Sequence, residues 1–169
     1  MQKKNIFLCG FMGCGKTTVG KELALRTFYT FNDTDECAEK LAGKSIKEMF
    51  SEDGEAAFRD LEARVLSELV CGSGQVIATG GGFVLRPSNV RLAKQNGKII
   101  FLNTPFELCY ERAAFTDRPL LQGKTRDEAE VLYKERFLLY RAAADYEIFN
   151  SDTPQDTAND ILTALSTFL

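Results

Sequence analysis

Gly10-Phe11-Met12-Gly13-Cys14-Gly15-Lys16-Thr17 decides the fold. Its spacing is that of the phosphate loop, G-x-x-x-x-G-K-S/T, and its flanks fit as well. Ile6-Phe7-Leu8-Cys9 before it is an apolar run of the length of a buried parallel strand. Thr17 to Arg26 after it, with Val19 and Leu23 four apart, reads as an amphipathic helix. Strand, glycine loop and helix together give the pattern a mechanism. The glycines free the backbone so that successive N–H groups converge on an anion, and the helix adds the partial positive charge of its N-terminus. Lys16 would reach the terminal phosphates and Thr17 a Mg²⁺ ion.

The rest of the composition narrows the chemistry. A chain of 169 residues with 44% hydrophobic content fits one domain. The net charge of −3 offers no basic field for nucleic acid. No apolar run approaches the ~20 residues of a membrane span. Met1-Gln2-Lys3-Lys4 leads directly into the first strand, so a cytoplasmic protein without a signal peptide is expected. Cys9, Cys14, Cys37, Cys71 and Cys109 are odd in number and never at C-x-x-C spacing, as expected of reduced thiols. There is no histidine, so catalysis through a histidine base or a His-ligated metal is excluded. Any general base falls first to Asp or Glu.

Strand-like runs alternate with helical patterns, which predicts a parallel α/β sheet. The runs are Ile6–Cys9, Phe28–Phe31, Gln75–Thr79, Lys98–Leu102 and Glu147–Phe149. Between them, Ser45 and Glu48, and again Thr125 and Glu128, stand at capping-box spacing ahead of helices. Phe58, Leu61, Val65 and Leu69 form one apolar stripe. Phe115 to Lys124 loses periodicity and reads as a mobile surface loop.

Ligands of open parallel sheets collect at the carboxyl ends of the strands, and polar clusters fall there. Asp33-Thr34-Asp35 follows the second strand, where strand alternation would put both carboxylates on one face. One could hold a cation and the other accept a substrate hydroxyl, although a solvated acidic turn has the same sequence. Gly80-Gly81-Gly82 follows the third strand and offers bare backbone amides or only a flexible turn. Arg59 borders the apolar stripe with Glu62 three residues on, suited to a substrate carboxylate or to an ordinary surface ion pair. Arg118 lies in the irregular loop, as a lid arginine or a solvated one. Arg136 and Arg141 share the long helix, and spacing does not choose between them.

Taken in order, the glycine loop with Thr17-Thr18-Val19-Gly20, Asp33-Thr34-Asp35, Ser45-Ile46, Phe50, Gly54-Glu55, Phe58-Arg59, Glu62, Gly80-Gly81-Gly82, Arg118-Pro119-Leu120-Leu121 and Tyr140-Arg141 resemble the shikimate kinases, over about residues 5 to 145. The resemblance implies a three-layer α/β/α P-loop kinase fold with a five-stranded parallel sheet, as one domain over 1–169 with acid-binding helices over about 34–70 and a lid over about 114–125. It implies a monomer that phosphorylates the 3-hydroxyl of shikimate from ATP with Mg²⁺, on the way to the aromatic amino acids. Gly13, Cys14, Gly15, Lys16, Thr17 and Thr18 would hold the nucleotide, with Arg112 on adenine and Arg118 from the lid. Thr17 and Asp33 would serve the metal. Lys16, Asp35 and Arg118 would be catalytic, with Asp35 as candidate base. Asp35, Arg59, Gly80, Gly81, Gly82 and Arg141 would bind shikimate, Arg141 being chosen over Arg136 on this resemblance alone. Cys14 departs from the serine usual there, and Asn150–Pro154 lacks an arginine some members carry. A gluconate-type kinase shares the loop. A GTPase-like switch would need an N/T-K-x-D motif and an Asp after the third strand, and neither is present.

Overall fold

A computed structural model of the chain describes residues 3–114, 121, 123–150, 153–166 and 168. Five strands form one parallel sheet in the order β2-β3-β1-β4-β5. They are β1 (Asn5–Cys9), β2 (Thr30–Asp33), β3 (Gln75–Ala78), β4 (Gly97–Asn103) and β5 (Tyr146–Phe149). β1 lies at the centre, in register with β3 through Ile6↔Val76 and with β4 through Phe7↔Ile99. Ile6, Phe7, Leu8 and Cys9 are fully buried, which explains why these four positions are all apolar rather than alternately so.

The connections are helical: α1 (Lys16–Thr27), α2 (Thr34–Ala42), α3 (Ile46–Glu52), α4 (Gly54–Leu69), α5 (Pro87–Asn96), α6 (Phe106–Ala114), α7 (Arg126–Ala143) and α8 (Pro154–Ala164). The main core gathers β1, β3 and β4 with Leu23, Leu66, Tyr140 and Ile161 from the surrounding helices. A second, smaller cluster of Ala38, Met49, Phe58 and Val65 joins α2, α3 and α4 to one another. These three helices thus carry a hydrophobic base of their own beside the sheet.

Both capping boxes form. The Ser45 hydroxyl accepts the Glu48 N–H while Glu48 accepts the Ser45 N–H, and Thr125 and Glu128 do the same for α7. Strand ends shift by a residue in several places, and around β2 two departures from the sequence expectation have a physical cause. The second strand begins at Thr30, not Phe28, because Phe28 ends α1 in the left-handed conformation (φ 56°) and is 89% exposed. The aromatic run there marks a helix end rather than a buried strand. Asp35 is not on a strand either: α2 starts at Thr34, with Asp33 as its N-cap.

Candidate active site

The phosphate loop runs from β1 into α1 along the carboxyl edge of the sheet. Gly13 is left-handed (φ 77°), and a Cβ there would fall 2.3 Å from the Cys109 carbonyl of α6, so only glycine allows this approach. Gly15 (φ 93°) precedes α1, whose first turn carries neither a capping side chain nor an acidic residue. The first amides of α1 are therefore available to an anion. Lys16 folds over the loop, its Nζ donating to the carbonyls of Gly10 (2.8 Å) and Phe11 (3.0 Å) and lying 3.6 Å from Cys14 Sγ. Cys14 is 1% exposed, so its side chain belongs to the core beneath the loop, and a nucleotide would meet only its backbone.

An open cleft of ≈ 250 Å³ borders this loop. It is lined by Gly13, Gly15, Lys16, Thr17 and Thr18 of the loop and α1, by Asp33, Asp35 and Gly81, and by Arg112 from the last turn of α6. The Thr17 hydroxyl donates to Asp33 Oδ2 at 2.8 Å, while Asp33 Oδ1 accepts the Asp35 N–H at 3.0 Å. The two acidic residues are thus joined by a helix cap, with Asp35 in the first turn of α2, and not by strand alternation. Thr34 between them is buried and accepts the Gly80 N–H at 2.8 Å, tying the start of α2 to the glycine turn.

That turn is closely walled. A Cβ on Gly80 would lie 2.4 Å from Glu62 Oε1 and 2.6 Å from Asp35 Oδ1, and one on Gly82 would overlap the Arg59 guanidinium at 1.8 Å. Arg59 is only 8% exposed. It pairs with Glu62 through Nη1 and with Glu55 through Nε (3.2 Å) and Nη2 (3.0 Å). Burial pushes the Glu62 carboxyl up, against the pull of Arg59, and the nearby Asp35 carboxylate adds to the rise. Burial also disfavours the Arg59 charge, yet Glu62 and Glu55 outweigh it and hold its pKa above the ordinary value. Arg59 and Glu62, readable from sequence as a surface pair, are in fact an enclosed one.

From α7, the Tyr140 hydroxyl donates to the Gly81 carbonyl at 2.6 Å and Arg136 Nη1 donates to the same carbonyl at 3.3 Å. Burial holds the Tyr140 phenol well above its usual pKa, so it stays a neutral donor. Arg141 does not reach this place. It is exposed and its Nε pairs with Glu147 on β5 at 2.9 Å. Arg141, expected among the substrate-binding residues, is therefore not brought to the glycine turn; Arg136 stands there instead, four residues before Tyr140 on the same helix face. Arg118 lies outside the described residues. Tyr140 and Thr34 fall within the sequence motifs without a role there, since a helix tyrosine and a threonine between two aspartates advertise no distant contact.

The family profile "Shikimate kinase" matches residues 12–166 of this chain. The chain belongs to the shikimate kinase family. It is 46% identical to the shikimate kinase of Microcystis aeruginosa over 98% of this chain and 88% of that one. It is 44% identical to that of Persephonella marina over 94% and 97% respectively. Among solved structures, the shikimate kinase from Acinetobacter baumannii in complex with shikimate superposes with a TM-score of 0.93 at 39% identity, covering 99% of this chain and 96% of the other. The five-stranded parallel sheet and its helices are thus those of the shikimate kinase fold, the α/β P-loop kinase architecture, with ATP as the family's cosubstrate.

Proposed function

We propose that this protein transfers the γ-phosphoryl group of ATP to the 3-hydroxyl of shikimate, giving shikimate 3-phosphate and ADP in aromatic amino acid biosynthesis. One observation carries the reading. The Asp35 carboxylate and the Arg59 guanidinium converge on the Gly80–Gly82 turn, whose Gly81 lines, with Asp35, the same cleft as the phosphate loop. An acceptor held there would share one cleft with a nucleotide held by the loop.

In this reading the amides around Gly13 to Thr18 and the Lys16 ammonium hold the phosphates, and Lys16 exchanges its loop carbonyls for phosphate oxygens. Arg59, kept in place by Glu62 and Glu55, forks onto the substrate carboxylate, and Arg136 joins it from α7. Asp35 accepts the proton of the attacking hydroxyl as the new P–O bond forms and the bond to the ADP leaving oxygen breaks. Arg112 serves the nucleotide at the end of the cleft, and Arg118 closes over it from a lid spanning about 114–125. The Thr17 and Asp33 oxygens are hard ligands of the kind Mg²⁺ prefers, and they would hold that ion. When bound, Mg²⁺ supplies charge neutralisation at the phosphates. The acid-binding helices are those over about 34–70, and the enzyme acts as a single-domain cytoplasmic monomer.

The test is ADP release with ATP or GTP as donor and shikimate, gluconate or no acceptor. Release that depends on shikimate and ATP supports the reading, and equal release with gluconate overturns it. Lys16→Ala is expected to lose nearly all turnover while its melting transition remains. Near-normal kcat in the folded variant would remove the phosphate role from Lys16.

A further inference from the structure

We infer that Asn150, just past the end of β5, is a positioning residue for the phosphate loop, aiming the Gly15 amide by gripping the carbonyl on the other side of the same peptide bond. Asn150 is 5% exposed, and its Nδ2 donates to the Cys14 carbonyl at 2.6 Å and to Thr104 Oγ1 at 3.2 Å. Thr104, 2% exposed and next after β4, donates its own hydroxyl to that same Cys14 carbonyl at 3.1 Å. Two buried donors from two strand ends therefore converge on one loop oxygen.

The consequence follows from peptide geometry. The Cys14 carbonyl and the Gly15 N–H belong to one planar unit, and in a trans peptide they point in opposite directions. No cis bond occurs among the described residues. Fixing the carbonyl toward Asn150 and Thr104 turns the Gly15 N–H the other way, toward the cleft that Gly15 lines. Gly15 is a residue whose own backbone would otherwise allow the peptide to rotate. The grip replaces that freedom with a fixed donor, which is what a preorganised anion site requires.

The orientation of Asn150 is itself set from α8. Thr157, 1% exposed, donates its hydroxyl to Asn150 Oδ1 at 2.6 Å. A flipped amide would put its oxygen against the Cys14 carbonyl and its NH₂ against a hydroxyl already facing it as a donor. The Asn150 N–H meanwhile donates to the Asn103 carbonyl at 2.9 Å, which fixes the backbone. Thr157, Asn150 and Thr104 form a chain of donors ending on the loop, with each of their side-chain polar atoms hydrogen-bonded.

This inference rests on the reading that nucleotide phosphates sit on the loop, and the experiment separates the two. ADP binding is measured by calorimetry, and the KM values for ATP and shikimate are measured separately, for the wild type, Asn150→Ala, Thr157→Val and Thr157→Ser. Asn150→Ala is expected to raise the ADP Kd and the ATP KM about tenfold, the loss of one well-formed buried hydrogen bond, and to leave the shikimate KM unchanged. Thr157→Val should shift the nucleotide terms the same way by a smaller factor, and Thr157→Ser, which keeps the hydroxyl, should restore them. A folded Asn150→Ala with a lower Tm but wild-type ADP affinity would make Asn150 a purely structural residue and overturn the inference. Should that variant not fold, unaltered ADP affinity in Thr157→Val overturns it equally. If the wild type itself binds no ADP, it is the phosphate-loop reading that fails.

Discussion

The Thr17 hydroxyl donates to Asp33 Oδ2 at 2.8 Å while Asp33 Oδ1 caps α2 through the Asp35 N–H at 3.0 Å. One carboxylate thus faces the phosphate loop with one oxygen and builds the helix that carries Asp35 with the other. Asp33→Asn separates the two duties. Asparagine is as good an N-cap as aspartate, so the helix should stand and Tm should change little. The charge next to Thr17 is gone, so a larger Mg²⁺ concentration should be needed for half-maximal activity, by about tenfold for one lost anionic contact. Activity measured against Mg²⁺ checks this. An unchanged Mg²⁺ requirement would leave Asp33 with the cap alone.

The glycine turn gives a prediction that depends on position within it. A Cβ on Gly82 would lie 1.8 Å from Arg59 Nη1, and Arg59 is held by two glutamates with little room to retreat. A Cβ on Gly81 would meet only Tyr140 Oη at 3.6 Å, an ordinary contact. Gly82→Ala should therefore displace the guanidinium, cost about 1–3 kcal/mol of stability as overpacking does, and raise the KM for shikimate more than it lowers kcat. Gly81→Ala should do far less on each count. Kinetics and melts on the two variants decide it, and equal effects would mean the turn adjusts without moving Arg59.

The capping glutamates set a pH dependence. Backbone and side-chain hydrogen bonds from Thr125 hold the Glu128 carboxyl below its usual range, and those from the Ser45 side chain and backbone do the same for Glu48. A depressed folded-state pKa means that the stabilisation is present above the unfolded value and lost as pH falls through the folded one. Glu128→Gln resembles the protonated acid. The stability gap between wild type and Glu128→Gln should hold at neutral pH, start to narrow as the pH drops below the ordinary glutamate value of about 4.3, and close only below the depressed folded-state value. Denaturant melts across that range measure it. A gap that persists in acid would mean the carboxylate charge contributes nothing to the start of α7.

Much of this was legible because the signals were local. The phosphate loop needs only its own eight residues, and each capping box only four. What escaped was set by tertiary contact. Phe28 looked like strand because aromatic residues favour sheets, yet it ends a helix at positive φ. Asp35 looked like a strand residue because alternation was carried one step past Asp33, where the helix had already begun. The burial of Arg59 depends on Phe50 of α3 and the glycine turn lying against it, and no pattern within α4 encodes that. The Asn150 contact joins residues 136 positions apart, beyond the reach of any periodicity.

The two arginines of α7 provide the sharpest test of the proposed acid site. Arg136 and Arg141 are five residues apart, so their side chains diverge by about 140° around the helix and cannot share a face. Tyr140 is buried and donates to the Gly81 carbonyl, which fixes the inward face, and Arg136 lies on that face one turn earlier. Arg141 has its partner in Glu147, at a site where the Arg141 side chain is 63% exposed and such a pair contributes little. Arg136→Ala should raise the shikimate KM by about tenfold or more, as expected for losing a charge-assisted contact to a carboxylate, with the ATP KM little changed. Arg141→Ala should leave both near wild type. If Arg141→Ala were the damaging substitution and Arg136→Ala the silent one, α7 would have to turn in the working enzyme, and the place given to Tyr140 beside Gly81 would fall with it.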